Sequence, residues 1–401
     1  MINRILTPRE LLIGGGSLQQ LPALLDRLGI TRPLLVIDPA IQRLGLADGA
    51  IAAMRAAELV LTIFADVVED PTDMSVADAV AALEAGGCDG VVGFGGGSAI
   101  DTAKAAAIVA STGETIEALK VPRIVDRATM PLVAIPTTAG TGSEVTRACV
   151  ITDTVRHEKA LILGTAALPA AAIVDFELTL TCPYRVTVDT GLDALTHALE
   201  ALINRNGNPH AEALALSALR LIGANLEIAA QEPGNRAARE AMMLGATHAG
   251  LAVSNTSTAL IHGLSRPIGA FFHVPHGLSN AMLLPLVTHF SLAAALPGYA
   301  TAARALGWVG PGTSDQKAGE ALVQGFIDLN ARLKVPTPKA YGIDEAQYHR
   351  LMPEMARQAL ASGTPGNNPR VPTALEIVGL YTAAWEGNWS METQDWAVPA
   401  A

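Results

Sequence analysis

Through the first 180 residues, short apolar runs alternate with longer stretches of helical period. Residues 10–16 read as a strand ending at Gly14, Gly15 and Gly16, followed by a helix capped by Ser17. Residues 32–38 form a buried-strand pattern closing on Asp38, and residues 60–64 form another apolar run. A helix follows, with Val76, Ala79, Val80 and Leu83 on one face. The strand that starts at Gly90 runs into a glycine turn, Gly95-Gly96-Gly97-Ser98, and then an alanine-rich helix carrying Asp101 and Lys104. Residues 130–135, 148–152 and 172–175 complete the strands, with His157, Glu158 and Lys159 between the last two. Apolar runs without polar alternation suit a parallel sheet covered on both faces. From about residue 183 only helical periodicity is left; Leu192, Leu195, Ala198, Leu199 and Leu202 show it. The pattern predicts an α/β domain over residues 1–182 and an all-helical domain over residues 183–401.

Composition narrows the partners more than the fold. A chain of 401 residues can bury two sizeable cores, and 50% hydrophobic with 4% aromatic residues favours packed helices and parallel strands over a β-sandwich. A net charge of −11 argues against a nucleic-acid backbone or an anionic membrane surface as partner. Cys88, Cys149 and Cys182 form no CxxC pair, so reduced thiols and a cytoplasmic location are expected. No signal-peptide core opens the sequence, and no uninterrupted apolar run of about eighteen residues marks a membrane span.

Four stretches carry candidate chemistry. Asp38 at a strand end can accept hydrogen bonds from an adenosine ribose and would repel a 2′-phosphate, favouring NAD over NADP; a helix-start Asp is the plainer reading. Gly96, Gly97 and Ser98 let a pyrophosphate approach the backbone at a helix N-terminus, although glycines also close ordinary strand–helix corners. The loop from Pro136 to Thr146 offers the hydroxyls of Thr137, Thr138, Thr141 and Ser143, with Gly140 and Gly142, to phosphate and ribose oxygens. Asp193 and His197, four apart on a helix, project from one face and can grip one metal ion; His262 and His276 would complete its shell. Such spacing also arises in hydrogen-bonded structural pairs, and spacing does not show that the four meet in space.

Together these motifs, in this order, resemble the iron-containing (group III) alcohol dehydrogenases over almost the full chain. The resemblance extends to Asp70-Pro71-Thr72 and to Asn368-Pro369-Arg370 before a terminal helix. It implies the dehydroquinate synthase-like architecture, with a nucleotide-binding α/β domain, an all-α domain, and the active site in the cleft between. It implies Asp193, His197, His262 and His276 as ligands of one catalytic Fe²⁺ or Zn²⁺. Asp38, Asp70, Gly96, Gly97, Ser98, Asp101, Thr137, Thr138, Thr141, Ser143 and Lys159 would line the NAD site. A small alcohol or carbonyl compound would be the substrate, its oxygen on the metal and a hydride passing between its carbon and the nicotinamide. A homodimer or larger homo-oligomer is the family's habit.

Two positions depart from the family. Many relatives have a His four residues after the first late ligand, where this sequence has Arg266. Proton relay would then fall to His273 or water, and Arg266 could bind an acidic substrate or be an ordinary ion-paired arginine. Asp70 stands where relatives often have Asn, which bears on the cofactor contacts. The tail, with Trp389 and Trp396, shows no motif. Two other enzymes compete with the dehydrogenase. A maleylacetate-reductase-like enzyme would lack the four ligands. A dehydroquinate-synthase-like lyase would need a basic cluster that residues 250–280 do not show. A protein that kept the fold for assembly or metal storage would show decay of these motifs, and none is visible.

Overall fold

A computed structural model describes residues 2–156 and 158–387; the tail with Trp389 and Trp396 lies outside the described residues. Six strands form one parallel sheet: β1 (Glu10–Ile13), β2 (Pro33–Ile37), β3 (Thr62–Phe64), β4 (Gly90–Gly95), β5 (Leu132–Pro136) and β8 (Ala171–Val174), in the spatial order β1-β8-β5-β4-β2-β3. Every residue of β2, β4, β5 and β8 is buried, which is why these runs lack polar alternation. Side chains alternate between two cores. Leu35 and Ile37 of β2 pack toward the helices Leu21–Arg27 and Asp48–Ala56, while Leu34 and Val36 pack toward Asp73–Ala85 and Gly97–Thr112. The connections from β2 run outward to β3 and then back across to β4. The carboxyl ends of β2 and β4 therefore flank a topological switch point, the place where such sheets open a crevice for ligands.

The structure departs from the sequence pattern at two places. Ser17 does not cap an α-helix: it opens a 3₁₀ turn, with Gly16 left-handed before it, and the helix begins at Leu21. The segment after His157 is a strand, β7 (Glu158–Leu163), paired antiparallel with β6 (Ala148–Asp153) in a separate hairpin. Its inward residues are Ala160 and Ile162, a short alternation masked by the charged Glu158 and Lys159 at its start.

From Tyr184 onward the described regular structure is helical, around one apolar core that includes Leu192, Leu195, Leu264, Leu283 and Phe326. Two helices, Pro209–Gln231 and the stretch His276–Ala294, are long and apolar enough to cross a membrane; 78% of the second's apolar window is buried inside the protein. The halves are locked together by close backbone approach. A Cβ on Gly142 would stand 2.5 Å from the Gly250 Cα, so the loop after β5 lies directly on the helix Arg236–Ser254. Beside it the buried Glu144 accepts a hydrogen bond from the Thr247 hydroxyl at 2.9 Å. Burial pushes the Glu144 pKa up.

Candidate active site

The metal-candidate side chains come from three helices. Tyr184–Ile203 carries Asp193 and His197 one turn apart, Leu260–Phe272 carries His262 near its start, and His276–Ser291 begins at His276. Gly277 makes their meeting possible: a Cβ there would lie 2.0 Å from the Asp189 carbonyl oxygen and 3.3 Å from the Asp193 Cβ. The start of the His276 helix thus rests on the backbone that bears Asp193.

The four side chains converge. Asp193 Oδ1 lies 3.4 Å from His262 Nε2, 3.7 Å from His276 Nε2 and 3.9 Å from His197 Nε2. The donor atoms of Asp193, His262 and His276 all lie within 4.8 Å of one another, and the His197 ring stacks on His262 with centroids 4.5 Å apart. Two donors that share an ion at about 2.0–2.2 Å in tetrahedral array stand roughly 3.4 Å apart, so this donor set fits a divalent metal. An acceptor carboxylate and imidazoles that pair with no lysine or arginine among the described residues make a cation-favouring point. The amide nitrogen of Asn280 marks it, at 2.8 Å from Asp193 Oδ1, 3.2 Å from His262 Nε2 and 3.3 Å from His276 Nε2.

Electrostatics follow from the burial. Burial raises the Asp193 pKa, but the imidazoles of His197, His276 and His262 outweigh it and hold the carboxyl well below its usual range. At His262 burial disfavours the charged ring, yet Glu200 and Asp193 on either side bring its pKa up to about 9. Burial holds His197 below its ordinary value, with Asp193 opposing. Asp193 is 3% exposed whereas His276 is 48% exposed, so the cluster is closed behind the carboxylate and open at His276.

Glu200 and Asn280 are parts of the cluster that the sequence pattern missed. Glu200 is buried and accepts from His262 Nδ1 at 2.7 Å, and from the backbone N–H groups of Ala259 at 2.7 Å and Ile261 at 2.6 Å. One carboxylate therefore both caps the His262 helix and orients the ring so that Nε2 faces Asp193. Its signal was legible in retrospect: Asp193, His197 and Glu200 share one face of an otherwise apolar helix.

His273 is not part of the cluster. It is the exposed left-handed residue (φ 54°) that ends the His262 helix, and its ring makes no hydrogen bond or ion pair among the described residues. Arg266 lies one turn beyond His262, hydrogen-bonded to Thr258 Oγ1 at 3.3 Å, close enough that its charge acts on His276.

On the sheet side, Gly95 ends β4 with φ 153°, and Gly96 opens the helix Gly97–Thr112 without any side-chain cap, leaving the first N–H groups free. Asp38 stands at the end of the neighbouring β2, its Cβ 3.5 Å from where a Gly95 Cβ would be. One of its oxygens, Oδ1, caps a short helix by accepting from Ala40 N at 2.6 Å. Thr138 and Thr141 flank the turn: Cβ atoms on Gly96 and Gly97 would meet them at 3.8 and 3.0 Å. Thr137 is buried, and its backbone N–H donates to the Gly95 carbonyl at 3.0 Å.

Several residues expected to line a cofactor are occupied otherwise. Asp101 is half-buried and accepts from Ser143 Oγ at 2.6 Å and Val150 N at 2.9 Å, so Asp101 and Ser143 brace the loop after β5 and the β6–β7 hairpin. The Ser98 hydroxyl donates to the Glu69 carbonyl. Lys159 pairs with Asp70 at 2.7 Å and with Thr152 Oγ1 at 3.0 Å. Gly140 packs against Thr190: a Cβ there would stand 2.3 Å from the Thr190 Cβ.

A glycine turn at a parallel-sheet switch point, together with an Asp–His cluster on the packed helices, is the arrangement of a metal-dependent, dinucleotide-linked oxidoreductase. The chain belongs to the iron-containing alcohol dehydrogenase family. Residues 8–176 match the iron-containing alcohol dehydrogenase model, and residues 187–385 match the C-terminal region of the same family. The NAD-dependent methanol dehydrogenase of Bacillus methanolicus is 34% identical over 96% of this chain and 100% of its own length. The solved structure of a 1,3-propanediol oxidoreductase superposes with a TM-score of 0.92 at 32% identity, covering 96% of this chain and 100% of that one. Sulfoacetaldehyde reductase from Bifidobacterium kashiwanohense, solved with NAD⁺, gives 0.86 at 28% identity, over 97% of this chain and 100% of that one. This protein is an NAD-linked alcohol dehydrogenase or aldehyde reductase of the iron-containing type.

Proposed function

We propose that residues 1–182 bind the dinucleotide, that residues 183–401 hold the metal, and that a small alcohol and its aldehyde or ketone are interconverted in the cleft between them. The observation that carries this reading is the convergence of Asp193 with three imidazoles, open at His276. Asp193, His197, His262 and His276 would hold one divalent ion, with Fe²⁺ ahead of Zn²⁺ by family; such an ion supplies a Lewis acid toward the substrate oxygen. The dinucleotide supplies or accepts the hydride.

The chain's own residues do the positioning. Glu200 holds the His262 ring in place, and Asn280 orients the Asp193 carboxylate through a 2.8 Å hydrogen bond. The uncapped helix start at Gly96 and Gly97 would offer N–H groups to the pyrophosphate, with Thr138 and Thr141 beside it. Asp38 has one oxygen committed to its cap; the other would accept from a ribose hydroxyl and repel a 2′-phosphate, favouring NAD over NADP. The apolar core surrounding Asp193 excludes bulk water behind the cluster. The relatives' names span methanol, 1,3-propanediol and sulfoacetaldehyde, so membership leaves the substrate open. A cytoplasmic homodimer fits three free cysteines and the open edge at β1, where Ile13 is exposed.

The test is NADH oxidation followed by absorbance, with protein reconstituted anaerobically with Fe²⁺ or Zn²⁺ and offered short aldehydes and small oxoacids. Turnover that needs metal and disappears in Asp193→Ala and His262→Ala supports the reading. Turnover indifferent to metal removal and to both substitutions contradicts it.

A further inference from the structure

A cleft of about 210 Å³ opens between the β6–β7 hairpin, the His262 helix and the helix Glu345–Ala361. Four cations, Lys120, Lys159, Arg266 and Arg357, line it with a single anion, Glu158. Three of the cations have carboxylate partners: Lys120 has Glu158 at 2.5 Å, Lys159 has Asp70 at 2.7 Å, and Arg357 has Glu354 at 2.6 Å.

Arg266 does not. Among the described residues its guanidinium makes one hydrogen bond, to the neutral Thr258 hydroxyl at 3.3 Å, and no ion pair. Burial works against its charge, and the carboxylate whose field offsets this, Glu200, is already bonded to His262 and two helix N–H groups. A partly enclosed arginine without a counter-ion, one turn from a metal-candidate histidine and facing a cleft, is a site with its charge unanswered.

We propose that the carbonyl substrate carries an oxyanion, as a carboxylate, sulfonate or phosphonate, and that Arg266 is its counter-ion, holding that end while the carbonyl faces the Asp193 cluster. This rests on the dehydrogenase reading above. Arg266 stands one helical turn after His262, and its charge reaches His276. Its fork of N–H groups suits two oxygens of one anion, which a neutral alcohol does not offer.

The experiment compares kcat/KM for NADH-dependent reduction of butanal with that of 4-oxobutanoate, and of two-carbon aldehydes bearing sulfonate or phosphonate, in the metal-loaded enzyme. Arg266→Met and Arg266→Lys are run alongside, with thermal melting as the check of folding and the KM for NADH recorded for each. The expected result is a preference of about tenfold or more for at least one anionic aldehyde. Arg266→Met abolishes that preference, raising the anionic substrate's KM far more than that of butanal, and Arg266→Lys restores part of it. The three anions identify which headgroup the site takes. Inhibition by succinate, competitive with the aldehyde and weakened in Arg266→Met, is the expected binding readout.

Butanal reduced as well as every anionic aldehyde would overturn the proposal and leave the dehydrogenase reading standing. An Arg266→Met effect confined to the KM for NADH would also overturn it, assigning the guanidinium to the cofactor. No NADH oxidation with any carbonyl, charged or neutral, would bring down the dehydrogenase reading itself.

Discussion

On the sheet side of the cleft, the groups proposed to meet the dinucleotide are largely main-chain. Gly96 and Gly97 leave a helix start uncapped, and the nearby polar side chains Asp101, Ser143 and Ser98 are taken up in holding loops. On the helical side the facing groups are side chains, Asp193 and three imidazoles, each brought in by a different turn of helix and steadied by Glu200 and Asn280. The first wall is specified by where a Cβ is absent, the second by which functional groups are present. The two should therefore respond differently to substitution.

The largest effect is expected on the helical side. Asp193→Ala removes the one carboxylate donor and should lower kcat/KM on the order of a thousandfold. Some melting temperature is lost too, because removing one partner of a buried cluster leaves His262 and the Asn280 amide unanswered, but the protein should stay folded at the assay temperature. Activity loss that merely tracked unfolding would erase the distinction between the walls. Glu200→Gln keeps the shape but not the charge facing His262. Competition with a chelator should show metal affinity about 10–100-fold lower. Unchanged affinity would reduce Glu200 to a helix cap.

Two glycines sharpen the contrast. Gly277→Ala places a Cβ 2.0 Å from the Asp189 carbonyl oxygen and should cost about 1–3 kcal/mol in denaturant melts, with weakened metal binding. Gly96→Ala meets only Thr138 at 3.8 Å with φ −73°, so stability should change by less than about 0.5 kcal/mol. NADH titration should nonetheless show weaker binding, since the new methyl stands where a pyrophosphate would approach. Equal effects on stability from both would refute the difference in construction.

The smallest effect lies at the β6–β7 turn. The Arg156 backbone N–H, followed by that residue's side chain and the Val155 N–H, holds the Asp153 carboxyl below its ordinary pKa against the opposing effect of burial. A depressed carboxylate contributes stability above its unfolded pKa near about 4 and loses it as pH falls through the folded value. Asp153→Asn should therefore cost under about 1 kcal/mol at neutral pH, a difference that closes in acid. A cost that persisted at low pH would assign the role to packing.

Residues whose role is local were legible in the sequence. The strands β2, β4, β5 and β8 showed as unbroken apolar runs, and Asp193 with His197 showed as a one-turn pair. Roles set by a distant partner were not. Asp101 looks like a cofactor residue until Ser143 and Val150, remote in sequence, are seen to take both its oxygens. Gly140 and Gly142 read as a phosphate surface, but they are small because Thr190 and Gly250 press against them. His273 is near two histidines in the chain, yet the left-handed turn it occupies points its ring to solvent. Asp38 takes the plainer of its two readings, a helix cap on Ala40, and its second oxygen is left over for the other.

The most direct test of the central claim is anomalous diffraction at the iron edge, from crystals grown anaerobically with Fe²⁺ and NAD⁺. One peak per chain is predicted, within about 2.0–2.3 Å of Asp193 and of the Nε2 atoms of His197, His262 and His276. A peak elsewhere, or a cluster in which the Asn280 amide still bridges Asp193, His262 and His276 with no ion among them, would contradict the account.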